Sequence, residues 1–321
     1  MQTNSALTTP LLRRVRATHI SQAHALLSLI AGSIAAAMLL PVIYLLLRSL
    51  GIGVEAFDHL LQRRNLVVLL NSVMLAVIVT AISLVVALPL AWLTVRTDLP
   101  GRRIWSVLTA LPLVFPSYVG GYAFVAMIGP RGILQGWLEP LGVERLPSIY
   151  GLPGTAWVLT VFTYPYLLLS IRAGLRNLDP ALEEAARNLG HGPWQTFRKV
   201  TMPALRPSIV AGSLLESLYV LSDFCAFSIF RYNRFTRVIY IQYLSIFDRS
   251  LASLLSLVLV TLTIILLFTA QRFLGRVSLY RSGVGAARAA RRIALGGWTV
   301  PALILCVLVV TIALVLPTSV V

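Results

Sequence analysis

The chain has 321 residues, of which 58% are hydrophobic and only 12% charged, and its mean hydropathy is +0.85. Soluble domains are far more polar, so this composition excludes an ordinary soluble protein and indicates an integral membrane protein. The apolar runs are continuous rather than alternating, which predicts transmembrane helices. The predicted fold class is therefore all-α, a polytopic helical membrane protein.

The net charge of +16 would suggest a nucleic-acid partner in a soluble protein, but its distribution favours a membrane topology. With the N-terminus inside, the predicted cytoplasmic segments hold 18 of the 27 Lys and Arg residues, and the outer segments hold nine. This asymmetry follows the positive-inside rule, so we expect no nucleic-acid partner. The loop at 231–249, with four arginines, is the one segment that opposes this orientation.

Seven stretches are long enough to cross a bilayer, which requires about 20 mostly apolar residues in a helix. The first follows a basic segment, but its apolar run exceeds that of a secretory signal, so we interpret it as an uncleaved anchor. The predicted spans lie at 25–47, 67–95, 105–128, 155–171, 209–230, 251–270 and 298–316.

The segments around the first three spans differ in character. Residues 1–24 are predicted to form a flexible cytoplasmic tail, and 25–64 hold the first span and an outer loop. The third span contains two prolines and a Gly-Gly pair between 112 and 121, which predicts a kinked or broken helix. The outer loop at 129–149 is interpreted either as a short surface helix or as an ordinary connector.

A charged segment, 179–207, separates the fourth and fifth spans. Asp179 suits a helix N-cap, and acidic residues in the first turn complement the helix dipole. We therefore predict a helix from Pro180 to Leu189. Gly190 is expected to end it, and a second short helix should follow before Pro203.

Two hypotheses remain for this pair of helices. Its apolar side chains could dock on a partner at the cytoplasmic surface, or the pair could be an amphipathic surface element without any partner.

The spacing within the segment resembles the EAA signature of binding-protein-dependent ABC importer permeases: EAA, three residues, Gly, nine residues, then I-x-L-P. Two apolar positions differ mildly, with Val and Met in place of the usual Ile and Leu. The matching residues are Glu184, Ala185, Ala186, Gly190, Val200, Met202 and Pro203.

This resemblance implies a type I ABC importer permease fold, with the permease domain at 65–271 and the matching residues as its coupling loop. It also implies a bacterial inner-membrane location, a cytoplasmic ATP-binding subunit, a periplasmic substrate-binding protein and a second permease half. The chain has no Walker A loop or other nucleotide site, so we expect a transport subunit that is not itself an enzyme. We predict no catalytic residues, no metal site and no cofactor.

The match extends over roughly 65–275. The stretch at 71–103 is similar to the second span and inner loop of these permeases, and 222–249 resembles the ferric-iron branch. Thiamine and polyamine permeases of the same family remain alternatives for the substrate. A secondary transporter driven by an ion gradient is the alternative from another class.

The C-terminal part is predicted to comprise a basic cytoplasmic linker at 272–297 and the seventh span within 298–321. We expect this last span to have no partner helix within the chain. Two interpretations are open: it is the first helix of a missing second half, or it is an addition to a complete half-size permease that dimerises.

Acidic and polar residues within the spans are candidates for the translocation path, because charge inside a bilayer is costly. Glu216, Tyr219 and Asp223 are predicted to share one face of the fifth span, and Asn71 begins the second. The alternative is that the two acids pair with arginines or hydroxyl groups and serve packing only.

Overall fold

The computed structural model describes residues 9–52, 62–130, 132–142, 148–224, 228–244, 249–274 and 292–320, with side chains throughout except at 9–25, 52, 137 and 141. Within these ranges the chain is helical and no β-strand forms; an isolated bridge joins Thr97 and Ile293. The helices are α1 Thr9–Ser49, α2 Arg63–Arg96, α3 Arg102–Leu108, α4 Ser117–Ile128, α5 Ile133–Leu138, α6 Leu152–Asn177, α7 Pro180–Asn188, α8 Pro193–Thr196, α9 Met202–Ser222, α10 Phe235–Leu244, α11 Arg249–Leu274, α12 Thr299–Val310 and α13 Leu316–Val320.

The predicted spans all correspond to helices in the structure. Six stretches are long and apolar enough to cross a membrane: Leu26–Ser49, Arg63–Arg96, Leu152–Asn177, Pro193–Ser222, Arg249–Leu274 and Gly296–Val320. The remaining predicted span is a pair, Arg102–Val114 and Ser117–Gly136, bent by 96° at its break. The all-α fold class and the broken third span are confirmed.

Two boundaries were predicted wrongly. The helix α1 begins at Thr9. Residues 9–24, which were predicted to belong to a flexible tail, therefore form the first part of this helix. The fifth span was expected to reach residue 230, but α9 ends at Ser222 and Asp223 is its C-cap. Arg234 explains this end, because its guanidinium donates a 2.7 Å hydrogen bond to the carbonyl of Val220 in the last turn.

The outer loop at 129–149 forms a short helix, α5, followed by a 3₁₀ turn at Glu139–Leu141. The helical interpretation of this loop is therefore confirmed in its described part, and the alternative of an ordinary connector is wrong there. Residues 131 and 143–147 lie outside the described residues.

The core of the bundle is made by α2, α6 and α9, with α6 between the other two. Close approach of α9 to α6 depends on Gly212, where an added Cβ would lie 3.0 Å from the Cα of Leu167. Small residues let transmembrane helices pack this closely, since packing rather than hydrophobicity drives their association in lipid. These three helices therefore form one tightly packed unit.

The prediction that the last span lacks a partner helix is wrong. Its C-terminal end packs against α4, and its inward face joins the main apolar core through Ala302, Cys306 and Ala313, which are 7%, 0% and 1% exposed. These small side chains are four and seven residues apart, about one and two helical turns, and so lie on one helix face. A five-residue π turn, Thr311–Val315, joins α12 to α13.

A buried arginine ties the broken span to the bundle. Arg172 of α6 donates to the Thr94 hydroxyl at 3.0 Å, to the Ser106 carbonyl at 2.7 Å and to the Thr109 hydroxyl at 2.7 Å. Tyr164 adds a 2.6 Å bond to the Thr109 carbonyl. One guanidinium thus connects α2, α3 and α6, satisfying donors that could not be left unpaired in an apolar interior.

Candidate functional site

The charged segment forms a bent pair of helices, which we call the elbow (residues 180–201). The side chain of Asp179 accepts a 3.0 Å hydrogen bond from the amide of Ala181, so the predicted N-cap is confirmed. The helix α7 ends at Asn188, with Leu189 as its C-cap, one residue before the predicted end.

Gly190 makes the bend. Its φ of +85° lies in the left-handed region that favours glycine. Its amide donates to the Arg187 carbonyl at 2.9 Å, and the amide of His191 donates to the Ala186 carbonyl at 3.1 Å. This pair of bonds is a Schellman motif, which satisfies the free carbonyl groups at the end of α7.

The second helix of the elbow is continuous with the membrane span. α8 begins at Pro193 and passes through a π turn, Phe197–Thr201, directly into α9, so the separate short helix of the sequence-based prediction is corrected. Pro203 lies in the first turn of α9, where its missing amide hydrogen is tolerated. A displacement of α8 would therefore act on the fifth span without an intervening loop.

An ion pair fixes the elbow to the end of α2. The guanidinium of Arg96 donates to Oε1 of Glu183 at 2.8 Å, and the hydroxyl of Thr201 donates to the same oxygen at 2.9 Å. The side chains of Arg96 and Glu183 are 2% and 12% exposed, so water screens the pair weakly. Glu183 consequently joins α2, α7 and the π turn.

The outer face of the elbow is apolar and exposed. Leu189 and Trp194, on either side of the bend, are 79% and 71% exposed. The ring of Trp194 stacks on Phe197 at 5.6 Å, and Phe197 meets Trp92 of α2 edge-on at 4.9 Å. A cavity of about 560 Å³ lies beside these rings, lined by Leu88, Pro89, Trp92, Glu183, Arg187, Pro193, Trp194, Thr196, Phe197, Thr201 and Ile293.

The residues implied by the EAA resemblance differ in their exposure and lie at different places on the elbow. Glu184, Ala185 and Gly190 are exposed at the outer surface, whereas Ala186 is buried against the bundle. The remaining three, which are all partly buried, lie where the elbow enters the membrane span: Val200, Met202 and Pro203.

The first acidic candidate for the translocation path is enclosed by the helical core. Glu216 is fully buried, and its Oε1 accepts hydrogen bonds from the hydroxyls of Ser83 in α2 and Thr163 in α6, the latter at 2.8 Å. Its Oε2 has no hydrogen-bond partner among the described residues. One carboxylate thus bridges the three core helices and keeps one oxygen available.

The other path candidates have different partners from those of Glu216. The ring of Tyr219 lies 5.5 Å from that of Tyr166, and the carboxylate of Asp223 accepts a 2.5 Å bond from Ser117 of α4. Asn71 is half-buried, and its backbone carbonyl accepts a 3.5 Å bond from the hydroxyl of Tyr232. Glu216 and Asp223 therefore have their observed bonds on different helices.

Arg234 is fully buried next to Asp223. Burial lowers the pKa of this guanidinium to about 10, and the negative charge of Asp223 acts in the opposite direction. The arginine remains charged at neutral pH, because that pKa still lies about three units above it. Arg234 belongs to the loop at 231–249, whose basic residues opposed the predicted orientation. Because it is buried and bonded to the carbonyl of Val220, this arginine serves contacts within the protein.

Three buried arginines, Arg96, Arg172 and Arg234, make contacts that were not predicted from the sequence. The available signal was their position at or near the ends of apolar spans, where a buried charge requires a specific partner. Among the described residues, no group of three or more His, Cys, Asp or Glu could hold a metal ion.

Comparison with known proteins identifies relatives by sequence. The family described as "Binding-protein-dependent transport system inner membrane component" matches residues 100–278. The Fe(3+)-transport system permease protein FbpB 2 of Haemophilus influenzae is 32% identical over 250 residues, covering 78% of this chain and 46% of that protein. This chain therefore spans about half the length of that relative. The molybdenum transport system permease protein ModB of Escherichia coli is 32% identical over 166 residues, covering 49% of this chain and 69% of ModB.

A solved structure supports the fold. The crystal structure of a bacterial alginate ABC transporter, in complex with an alginate pentasaccharide-bound periplasmic protein, contains a chain that matches with a TM-score of 0.64 at 16% identity. The match covers 83% of this chain and 99% of the other. The ABC importer permease fold inferred from the EAA spacing is thereby confirmed, and the alternative of an ion-coupled secondary transporter is not supported. This chain belongs to the family of binding-protein-dependent transport system inner membrane components.

Proposed function

We propose that this chain is the membrane-spanning permease subunit of an ATP-driven importer, in which a separate ATP-binding subunit docks on the elbow. The observation that carries the proposal is an exposed apolar bend that is held rigidly to the membrane helices. An elbow without a partner would expose Leu189 and Trp194 to water at a cost, whereas a docked subunit would bury them.

The contacts of the elbow supply a route for motion. A force on α8 acts directly on α9, because the two are continuous through the π turn. The same force reaches α2 through the Glu183–Arg96 ion pair. Nucleotide-driven closure of the ATP-binding subunits would thus shift α2 and α9 together and open or close the path between two permease halves.

The proposed partners follow from the family and from this surface. They are a cytoplasmic ATP-binding subunit, a periplasmic substrate-binding protein and a second permease half, supplied either in the same polypeptide or as another subunit. In this proposal the N-terminus and the elbow lie on the cytoplasmic side, because the positive-inside rule assigns the more basic set of segments to that side. The protein would act in the inner membrane of a bacterium.

We propose ferric iron as the substrate. The ferric-iron relative matches 78% of this chain, against 49% for the molybdenum relative. Both relatives are 32% identical to this chain over their matched regions. The preference for ferric iron over molybdate therefore rests on the longer match and on the resemblance at 222–249. The alternatives are molybdate, and thiamine or polyamines within the same family.

The path residues remain a prediction. Glu216 is the strongest candidate because its buried Oε2 has no hydrogen-bond partner among the described residues and so could hold a cation or a proton. Tyr219, Asp223 and Asn71 are partly exposed and would extend this path along the bundle.

Replacing Glu183 by Ala is expected to loosen the elbow, because it leaves the buried Arg96 without its carboxylate. Breaking a buried ion pair costs about 3 kcal/mol or more, so the melting temperature of the purified protein should fall by several degrees. Glu184→Ala is the matched control, since Glu184 is exposed and surface substitutions change stability by less than about 0.5 kcal/mol. Equal melting temperatures for the two variants would show that the ion pair does not anchor the elbow.

Replacing Gly190 by Val is expected to weaken binding of the ATP-binding subunit about tenfold. A side chain at this positive φ costs about 1–2 kcal/mol in the left-handed region, so the bend would reorganise. Co-purification of the ATP-binding subunit measures the effect. Gly192→Val is the control, because Gly192 has a φ of −65° and open space around it. Unchanged co-purification of the Gly190 variant would contradict the coupling role.

The Glu216→Gln variant is expected to lose uptake while still binding the ATP-binding subunit, because the amide removes the charge but preserves the shape. Uptake into vesicles, with co-purification measured in parallel, tests this. Ser217→Ala is the control on the same helix, since it removes only a 3.1 Å contact with Thr80. Normal uptake by the Glu216 variant would remove this residue from the path.

The substrate is tested with the complete complex and its own binding protein in sealed proteoliposomes. We expect ATP-dependent uptake of radiolabelled ferric iron and none of molybdate. Uptake of molybdate alone would refute ferric iron as the substrate but would still agree with the assignment as an importer. Uptake that persists after ATP is depleted would refute the importer itself.

A further inference from the structure

A second cavity, of about 570 Å³, lies at the end of the bundle where the Arg96–Glu183 ion pair holds the elbow. Three of its lining residues are arginines, contributed by two parts of the chain that are far apart in sequence. The lining consists of Asp98, Leu99, Gly101, Arg102, Arg103, Ile104 and Arg292.

Backbone hydrogen bonds hold the two parts together. The amide of Ile293 donates to the Arg96 carbonyl at 2.9 Å, and the amide of Asp98 donates to the Ile293 carbonyl at 3.2 Å. The carboxylate of Asp98 accepts a 2.9 Å bond from the amide of Leu295. These bonds fix Arg292 beside the turn between α2 and α3, so the cavity is already formed in the structure.

The positive charge of the cavity is not neutralised by the protein. Within the part of the chain that the structure describes, the guanidinium groups of Arg102, Arg103 and Arg292 make no hydrogen bond or ion pair. Among the described lining residues Asp98 carries the one acidic group, which leaves an excess of about two positive charges there. A preformed concave site with unpaired guanidinium groups suits a phosphate, to which Arg can donate bidentate hydrogen bonds.

The position of the cavity indicates the source of that phosphate. α2 ends at Arg96 and the last span begins at Gly296, so the cavity lies where two spans reach the edge of the bilayer. Ile104, in the lining, and Trp298, at the start of the last span, are 64% and 74% exposed. An exposed Trp at a span end is typical of the lipid headgroup region, and exposed apolar side chains there would contact acyl chains.

We propose that this cavity binds the phosphate headgroup of an anionic phospholipid. Basic pockets at the ends of transmembrane helices on the cytoplasmic side suit such headgroups. The cavity lies on the same side of the membrane as the elbow, because Arg96 contacts both Glu183 and Ile293. Lipid binding itself does not require the proposed ATP coupling, and a bound lipid would join the segment before the last span to the α2–α3 turn.

The experiment uses the full chain in nanodiscs of phosphatidylcholine, with phosphatidylglycerol added at increasing fractions. Bound phosphatidylglycerol is counted by native mass spectrometry, and the melting temperature is recorded in parallel. Each arginine should contribute about fivefold to lipid affinity, so Arg103→Gln should weaken binding about fivefold and the triple Gln variant on the order of 100-fold. The exposed Arg272→Gln, outside the cavity, is the control and should bind as the unmodified protein does.

Three outcomes decide the proposal. Loss of phosphatidylglycerol binding in the cavity variants, but not in the control, supports it. Equal loss in the control shows non-specific attraction to the bilayer and overturns it. In a third measurement, inorganic phosphate is added to the protein in nanodiscs of phosphatidylcholine alone. If phosphate raises the melting temperature as much as phosphatidylglycerol does, the site binds free phosphate and the lipid assignment fails. Should the triple variant not fold, the exposed Arg103→Gln variant alone decides.

Discussion

The ion pair between Arg96 and Glu183 determines how the elbow sits on the membrane bundle. It lies at the end of α2, is almost fully shielded from water, and also receives the hydroxyl of Thr201 from the π turn. The backbone carbonyl of the same Arg96 binds Ile293 ahead of the last span. A single residue therefore connects the proposed docking surface, the second span and the segment that leads to the seventh.

The rest of the bundle follows the same pattern, in which one buried polar group joins several helices. Arg172 connects α2, α3 and α6, and Glu216 connects α2, α6 and α9. Helices in lipid gain little from hydrophobic burial, so such groups and close packing at Gly212 supply much of their specific association. The consequence is a three-helix core that would move as one body when the elbow is displaced.

Local features of the elbow could be predicted from the sequence, because they depend on residues close together in the chain. The cap at Asp179, the bend at Gly190 and the break in the third span follow from turn and proline chemistry. The partner of Glu183 could not be predicted, since Arg96 is 87 residues away and nothing local pairs them. The sequence emphasised Glu184 through the EAA spacing, whereas the structure gives the anchoring bond to its neighbour.

The remaining errors have a common cause, which is tertiary contact. The fifth span ends early because Arg234 reaches the carbonyl of Val220, a contact between segments that hydropathy cannot reveal. The last span was expected to lack a partner because it is an odd, seventh span that follows a basic linker, yet the small residues Ala302 and Cys306 allow it to pack into the core. Hydropathy locates spans well, but it does not show which face of a span is in contact with protein.

The proposed coupling requires that the elbow face the cytoplasm, where an ATP-binding subunit can reach it. The most direct measurement is labelling of a Leu189→Cys variant, with Cys225 and Cys306 replaced by Ala, by a maleimide that cannot cross membranes. We expect the variant to react in inverted vesicles and to be protected in intact spheroplasts. Labelling in spheroplasts, on the outer side of the membrane, would contradict the account.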